Sequence, residues 1–233
     1  MANNKHPVAV ITGASEGLGR ALAHELGRRG WALVLDARKA SRLQDAIRGL
    51  DHVHPIAGDV TDADHRAALV ARAAELGGAA LLVNNASTLG PSPQPNLAVY
   101  PLDEYRRVLD VNVLAPLALI QKVLPALRRR RGTLVDITSD AGVEGYAGWG
   151  GYGSSKAALE QLSNVLAAEE ADVHVYWFDP GDMRTEMHQA AFPGEDISDR
   201  PLPETVVPAL RHLLSTSPAS GRYRAADLTA VRP

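Results

Sequence analysis

The run Val8-Ala9-Val10-Ile11-Thr12-Gly13-Ala14-Ser15-Glu16-Gly17-Leu18-Gly19 decides the fold of this chain. Four apolar residues have the length of a strand, three glycines fall within seven positions, and Leu18, Leu22 and Leu26 then recur on one stripe of a helix. A strand, a glycine turn and a helix N-terminus together make a phosphate cradle. Glycine lets the backbone turn tightly and approach a pyrophosphate, whose charge is met by unpaired N–H groups and the positive end of the helix dipole.

Outward from this run, strand-like stretches are expected over 7–12, 32–36, 52–57, 79–84, 132–138, 172–178 and 221–225. Helical periods fill 17–29, 41–49, 62–76, 103–129, 152–170 and 204–215. This alternation predicts an α/β fold, a doubly wound parallel sheet of about seven strands with helices on both faces, because parallel strands need crossover connections. At 233 residues and 45% hydrophobic composition, the chain has enough apolar material for one domain with a large core, and no repeat or interior linker divides it. Ligands of such sheets bind beyond the carboxyl ends of the strands, where Gly13, Asp59, Asn85, Ser139 and Pro180 are expected. Two long loops, 88–101 and 185–203, have the length of functional segments.

Composition narrows the partners. A net charge of −3 supplies no broad field for nucleic acid or an anionic membrane. Arg128–Arg131 end an expected helix, where cations complement the dipole. Without cysteine there is no disulfide, thiolate nucleophile or cysteine-based metal site, and the eight histidines lack ligand spacing, so no metal is expected. Only Met1–His6 precede the first strand and no apolar run reaches transmembrane length, which leads us to expect a cytoplasmic protein.

Tyr152 and Lys156 stand four residues apart in Gly151-Tyr152-Gly153-Ser154-Ser155-Lys156. On a helix this offset puts phenol and ammonium on one face, with Cβ atoms about 5–6 Å apart. A free phenol titrates near pH ~10, and an adjacent ammonium is expected to pull that value toward neutrality, making a general acid/base. Ser139 is available to donate a hydrogen bond to the same substrate oxygen.

With these residues in view, the chain resembles the classical short-chain dehydrogenases/reductases over essentially its whole length. Gly13-x-x-x-Gly17-x-Gly19 is that family's glycine spacing. It is followed in family order by Asp59, Asn84-Asn85-Ala86, Asn112, Ser139, Tyr152 with Lys156, and Pro180-Gly181 running to Thr185. The resemblance implies a Rossmann-type fold and an NAD(P)-dependent oxidoreductase that moves hydride between nicotinamide and a small-molecule carbonyl or alcohol, in the simplest case reducing a ketone or aldehyde. It assigns proton transfer to Tyr152, the holding of the carbonyl oxygen to Ser139, and both phenol activation and a ribose contact to Lys156. It gives Asn112 a water held by its main-chain carbonyl.

Cofactor contacts are implied for Gly13, Ser15, Glu16, Gly17, Leu18 and Gly19 in the glycine turn, and for Asp59 and Val60 at the adenine. Asn85 and Ala86 pass the ribose, Tyr152 and Lys156 meet the nicotinamide half, and Pro180, Gly181, Met183 and Thr185 lie near the amide or phosphates. Ser87 stands where the family carries glycine, which introduces a Cβ at a close approach. The region 185–203 corresponds to the segment that closes over substrate. Relatives also pair the helices matching 103–129 and 152–170, implying a homodimer or homotetramer; Leu159, Leu162, Val165 and Leu166 are available for this or for packing on the sheet.

The cofactor preference rests on the end of the second strand. NAD-preferring relatives carry an acid where this chain has Ala37, and the one-residue offset should turn Asp36 away from the ribose. Arg38 matches a basic position of NADP-preferring relatives, whereas Glu16 opposes a phosphate. NADP is therefore expected, with NAD as the alternative. Pro116, four residues after Asn112, has no N–H for the Asn112 carbonyl and so favours a kink there. Tyr146, Trp149, Leu89, Met187, His188 and Phe192 are expected pocket walls. The competing reading is a non-catalytic NADP-sensing regulator on the same fold, against which the retained Tyr152–Lys156 pair argues.

Overall fold

The computed structural model describes residues 6–229; Met1–Lys5, which make up most of the short leader before the first strand, lie outside the described residues. Seven strands, β1 Val8–Ile11, β2 Ala32–Ala37, β3 Val53–Ala57, β4 Leu81–Asn84, β5 Thr133–Ile137, β6 His174–Asp179 and β7 Gly221–Arg224, form one sheet in the order β3-β2-β1-β4-β5-β6-β7. Every pairing is parallel. The helices are α1 Gly17–Arg28, α2 Ala40–Ala46, α3 Ala63–Glu75, α4 Leu102–Leu109, α5 Ala115–Arg130, α6 Gly150–Glu169, α7 Glu186–Ala191, α8 Val207–Thr216 and α9 Ala225–Thr229.

β1 explains why both faces are covered. Its four residues are all buried: Ala9 and Ile11 pack with Leu18, Leu22 and Leu210, while Val8 and Val10 pack with Leu69, Leu119 and Val123. A short strand with no polar side chain has no face to give to water, so helices must cover both sides. The strand order reverses between β1 and β4, and at such a switch point the loops part and leave a crevice. Pro55 lies in β3, which pairs only with β2, the edge position where a missing N–H is tolerated.

The helix expected over 103–129 is divided. Between α4 and α5 lies a π-helical segment, Asp110–Leu114, in which the N–H of Ala115 reaches the carbonyl of Asp110. Pro116 follows immediately, with no N–H to restore the ordinary register. The stretch Leu102–Arg130 also corrects the reading that no apolar run is long enough to cross a membrane, since by length and composition it is. Its apolar side faces the sheet, where Leu119, Ile120, Val123 and Leu127 are buried. Arg128 and Arg130 close the helix with bonds to the Glu170 carboxylate and the Gly77 carbonyl. Of the stripe on α6, Leu159 faces the core and Val165 is exposed. Helices α7 and α9 were not anticipated.

Leu127 is fully buried in the face that carries this divided helix. Leu127→Ala should lower unfolding free energy by about 2–5 kcal/mol in a denaturant titration; a loss under about 1 kcal/mol would contradict the packing described.

Candidate functional site

A cleft opens along the carboxyl edge of the sheet. It is lined by every residue singled out for cofactor contact except Gly19, and by Ser139, Tyr152 and Lys156. Gly19 lies behind the wall, where a Cβ would stand 2.5 Å from both the Gly13 carbonyl oxygen and Asn85 Nδ2. Asn112 is buried beneath the cleft.

At the first end, Gly13 has φ +65°, and a Cβ there would come within 2.9 Å of the Ala86 Cα. That absent atom lets the turns after β1 and β4 touch. Thr12 Oγ1 accepts from the N–H groups of Asn85 and Ala86, both at 3.0 Å, and Asn85 Nδ2 donates to the carbonyls of Thr12 and Gly13. Helix α1 starts with no side-chain cap and no acid in its first turn, whereas α3 is capped by the Asp62 carboxylate. The leading N–H groups of α1 are thus left for an anion, as a pyrophosphate requires.

Asp36 is turned under the glycine loop, as its offset suggested. It accepts from Gly13 N at 3.4 Å and pairs with His65 Nε2 at 3.2 Å, and burial raises its pKa. His65 was not identified from the sequence, because nothing local marks it; the only trace is Gly58, where a Cβ would meet the imidazole at 2.2 Å. Arg38 is exposed on the rim with no salt-bridge partner among the described residues. Glu16, in contrast, is engaged: Arg42 donates to it at 2.9 Å and to Glu186 at 2.8 Å. Asp59 is held by Thr61 N and Oγ1, and the Thr61 N–H is the main cause of its lowered pKa.

At the other end, the glycines beside Tyr152 set its position. A Cβ at Gly153 would lie 2.5 Å from the Ala141 carbonyl oxygen, and one at Gly151 would strike the Tyr100 hydroxyl. Helix α6 therefore lies directly on the turn that carries Ser139. The Tyr152 hydroxyl stands beside those of Ser139 and Ser87. Ser139 Oγ also donates to Asp140 Oδ1 at 2.9 Å and accepts from Ala141 N, so it doubles as a cap.

The expected activation of Tyr152 by Lys156 is corrected. Both side chains are buried, and the phenol pKa is raised, first by burial and then by the Asp179 carboxylate; the neighbouring Ser139 and Ser87 hydroxyls only oppose this. Lys156 Nζ stands 5.4 Å from the ring centroid and donates instead to the Ile137 carbonyl at 2.8 Å. Burial pulls the ammonium itself down to about 8. Shared helix face gave proximity to the ring but not contact with its oxygen.

Asn112 contributes its side chain as well as the main chain. Nδ2 donates to the Thr88 carbonyl and to Ser155 Oγ, while Oδ1 accepts from Thr88 N and Ser87 Oγ. All four capacities are used. The Cβ of Ser87, expected to disturb a close approach, is accommodated by this hydroxyl bond.

Behind Lys156, Asp136 is fully buried, accepting from Asn84 Nδ2 at 2.7 Å and Ser163 Oγ at 2.8 Å. Burial raises its pKa to about 6. Arg222 on β7 joins Glu160 and Asp179 at 3.0 Å each. Of the expected pocket walls, Leu89, Trp149, Met187 and His188 line the cleft; Tyr146 and Phe192 instead pack edgewise or tilted behind Trp149. Among the described residues, no group of three or more His, Asp or Glu is placed to hold a metal ion.

Comparison with known proteins agrees with this geometry. Residues 7–196 match the family model described as short chain dehydrogenase. Sepiapterin reductase of Xenopus laevis is 34% identical over 200 residues, covering 79% of this chain and 76% of the relative. A short-chain dehydrogenase structure from Pseudomonas syringae superposes with a TM-score of 0.88 at 31% identity, over 95% of each chain. Another, from Escherichia coli CFT073 and solved with NADPH, gives 0.86 at 28% identity, over 94% of this chain and 96% of that one.

The buried carboxyl generates a prediction. Between 3.8 and about 6 the folded protein keeps a proton on Asp136 that the unfolded chain has released, so stability falls as pH rises through this window, by on the order of 2–3 kcal/mol. In Asp136→Asn, Ser163 Oγ can accept from the new amide. Denaturation from pH 4 to 7 should show a flatter profile and no loss of stability at pH 7; an unchanged slope would refute the assignment.

Proposed function

The chain belongs to the short-chain dehydrogenase family, and on that premise we propose that it is an NADP-dependent reductase of ketones or aldehydes. The observation that carries this reading is the Tyr152 hydroxyl, beside that of Ser139 in the same cleft that exposes the uncapped N-terminus of α1. The N–H groups there would hold the pyrophosphate, Asp59 and Val60 the adenine, and Asn85 and Ala86 the ribose edge. Arg38, which has no salt-bridge partner among the described residues, would meet the 2′-phosphate, and Arg42 offsets the charge of Glu16 that otherwise opposes one. Bound NADPH supplies the hydride.

Lys156 has spent one of its three N–H bonds on Ile137, leaving two for the nicotinamide ribose and the Asn112 water. Ser139, turning from Asp140 to the substrate, would polarise the carbonyl. Tyr152 then gives its proton to the oxygen as the carbon receives hydride. A phenol whose pKa is raised stays protonated throughout the neutral range, which is the state needed for a donor. The segment 185–203 would cover substrate, and exposed Leu102, Leu114 and Val165 offer apolar contacts for a homodimer or homotetramer in the cytoplasm.

The expected outcome of a carbonyl screen is NADPH oxidation that falls about 10²–10⁴-fold in Tyr152→Phe. Full activity in that variant would move the acid elsewhere, and tight NADPH binding without turnover of any carbonyl would favour the sensing regulator. Arg38→Ala should reduce the preference for NADPH over NADH by about 10–100-fold, the scale of a charge-assisted bond. A wild-type preference for NADH would defeat the cofactor assignment.

A further inference from the structure

His188 Nε2 is enclosed and has no hydrogen-bond partner among the described residues. The side chain is 10% exposed and lines the cleft beside Met187. Its position is held from both sides. Thr185 Oγ1 accepts from the backbone N–H at 3.1 Å, and Asp182 Oδ1 lies 3.8 Å from the ring Nδ1. The imidazole packs on Phe192 at 4.9 Å between centroids, Phe192 on Trp149 at 5.8 Å, and Trp149 edgewise on Tyr152 at 5.9 Å. One aromatic row thus runs from the phenol to the unpaired nitrogen.

An enclosed ring nitrogen without a partner is disfavoured unless a ligand bonds it. The surrounding charges decide which ligand. Asp182 and Asp140 carry negative charge at this end of the cleft, and Arg200, whose Nε is 3.7 Å from Asp182, is shared with Asp199. An anionic group would be repelled. In the neutral form that carries its proton on Nδ1, on the side of Asp182, the ring presents a lone pair at Nε2 and calls for a donor.

Resting on the reductase reading above, we propose that His188 Nε2 accepts a hydrogen bond from a hydroxyl at the end of the substrate remote from its carbonyl. The substrate class is then hydroxy-ketones and hydroxy-aldehydes whose two polar ends are joined by a flat or apolar span lying against Trp149. A site of this kind rejects an analogue that cannot donate.

The test compares kcat/KM with NADPH for 4-(4-hydroxyphenyl)butan-2-one and its methyl ether, and for the shorter pair hydroxyacetone and methoxyacetone. In the wild type the longer hydroxyl compound should be favoured by about tenfold or more, through KM. His188→Phe should bring the ratio close to one, and His188→Gln, whose amide oxygen still accepts, should retain part of it. NADPH binding by fluorescence reports that each variant is folded. Equal wild-type values, a ratio that survives in folded His188→Phe, or failure to reduce either member of the longer pair overturns the proposal. If simple ketones are nonetheless reduced in a Tyr152-dependent manner, only this inference falls; if no carbonyl is reduced, the reductase reading falls with it.

Discussion

Burial of the Tyr152–Lys156 face of α6 against β5 is the constraint on which the rest of the site depends. Removal from water disfavours the charged forms of a phenol and an ammonium alike, so desolvation moves the two groups in opposite directions, the phenol up and the amine down to about 8. The groups around them answer that cost. Ile137 offers a carbonyl to the ammonium, and the Ser139 and Ser87 hydroxyls stand beside the phenol. Asp136, held by Asn84 and Ser163, sits behind Lys156 as the nearest compensating acid.

This arrangement is tied to the cofactor end by two asparagine side chains. Asn112 joins the loop after β4 to α6 through Thr88 and Ser155, and Asn85 joins the same loop to the glycine turn after β1. Both ends of the cleft are thus braced on one segment. Asn112 lies within the π-helical step at Asp110–Leu114, and such bulges recur at functional positions.

The strands and the cleft were legible because they follow from local patterns: apolar runs of strand length, glycines at close approaches, and motif residues just past strand ends. Gly13 and Gly153 show why such a reading works, since each is required by an atom less than 3 Å from where a Cβ would be. What was not legible depends on partners distant in sequence. The bond between His65 and Asp36, the bridge from Arg42 to Glu16 and Glu186, and the network of Arg222 with Glu160 and Asp179 join elements that no spacing rule connects. The effect of Lys156 on Tyr152 was misjudged for a related reason. Helical spacing reports which residues are neighbours, but burial and the direction of the ammonium decide the pKa.

The central claim is that desolvation governs the Tyr152 phenol in the protein without bound cofactor. Ultraviolet difference titration of tyrosinate, comparing the wild type with Tyr152→Phe, isolates this one phenol from the other five tyrosines. The account predicts identical curves up to about pH 10, the ordinary value for a solvated phenol. A wild-type tyrosinate that ionises between about pH 7 and 9 and is missing from the variant would contradict it.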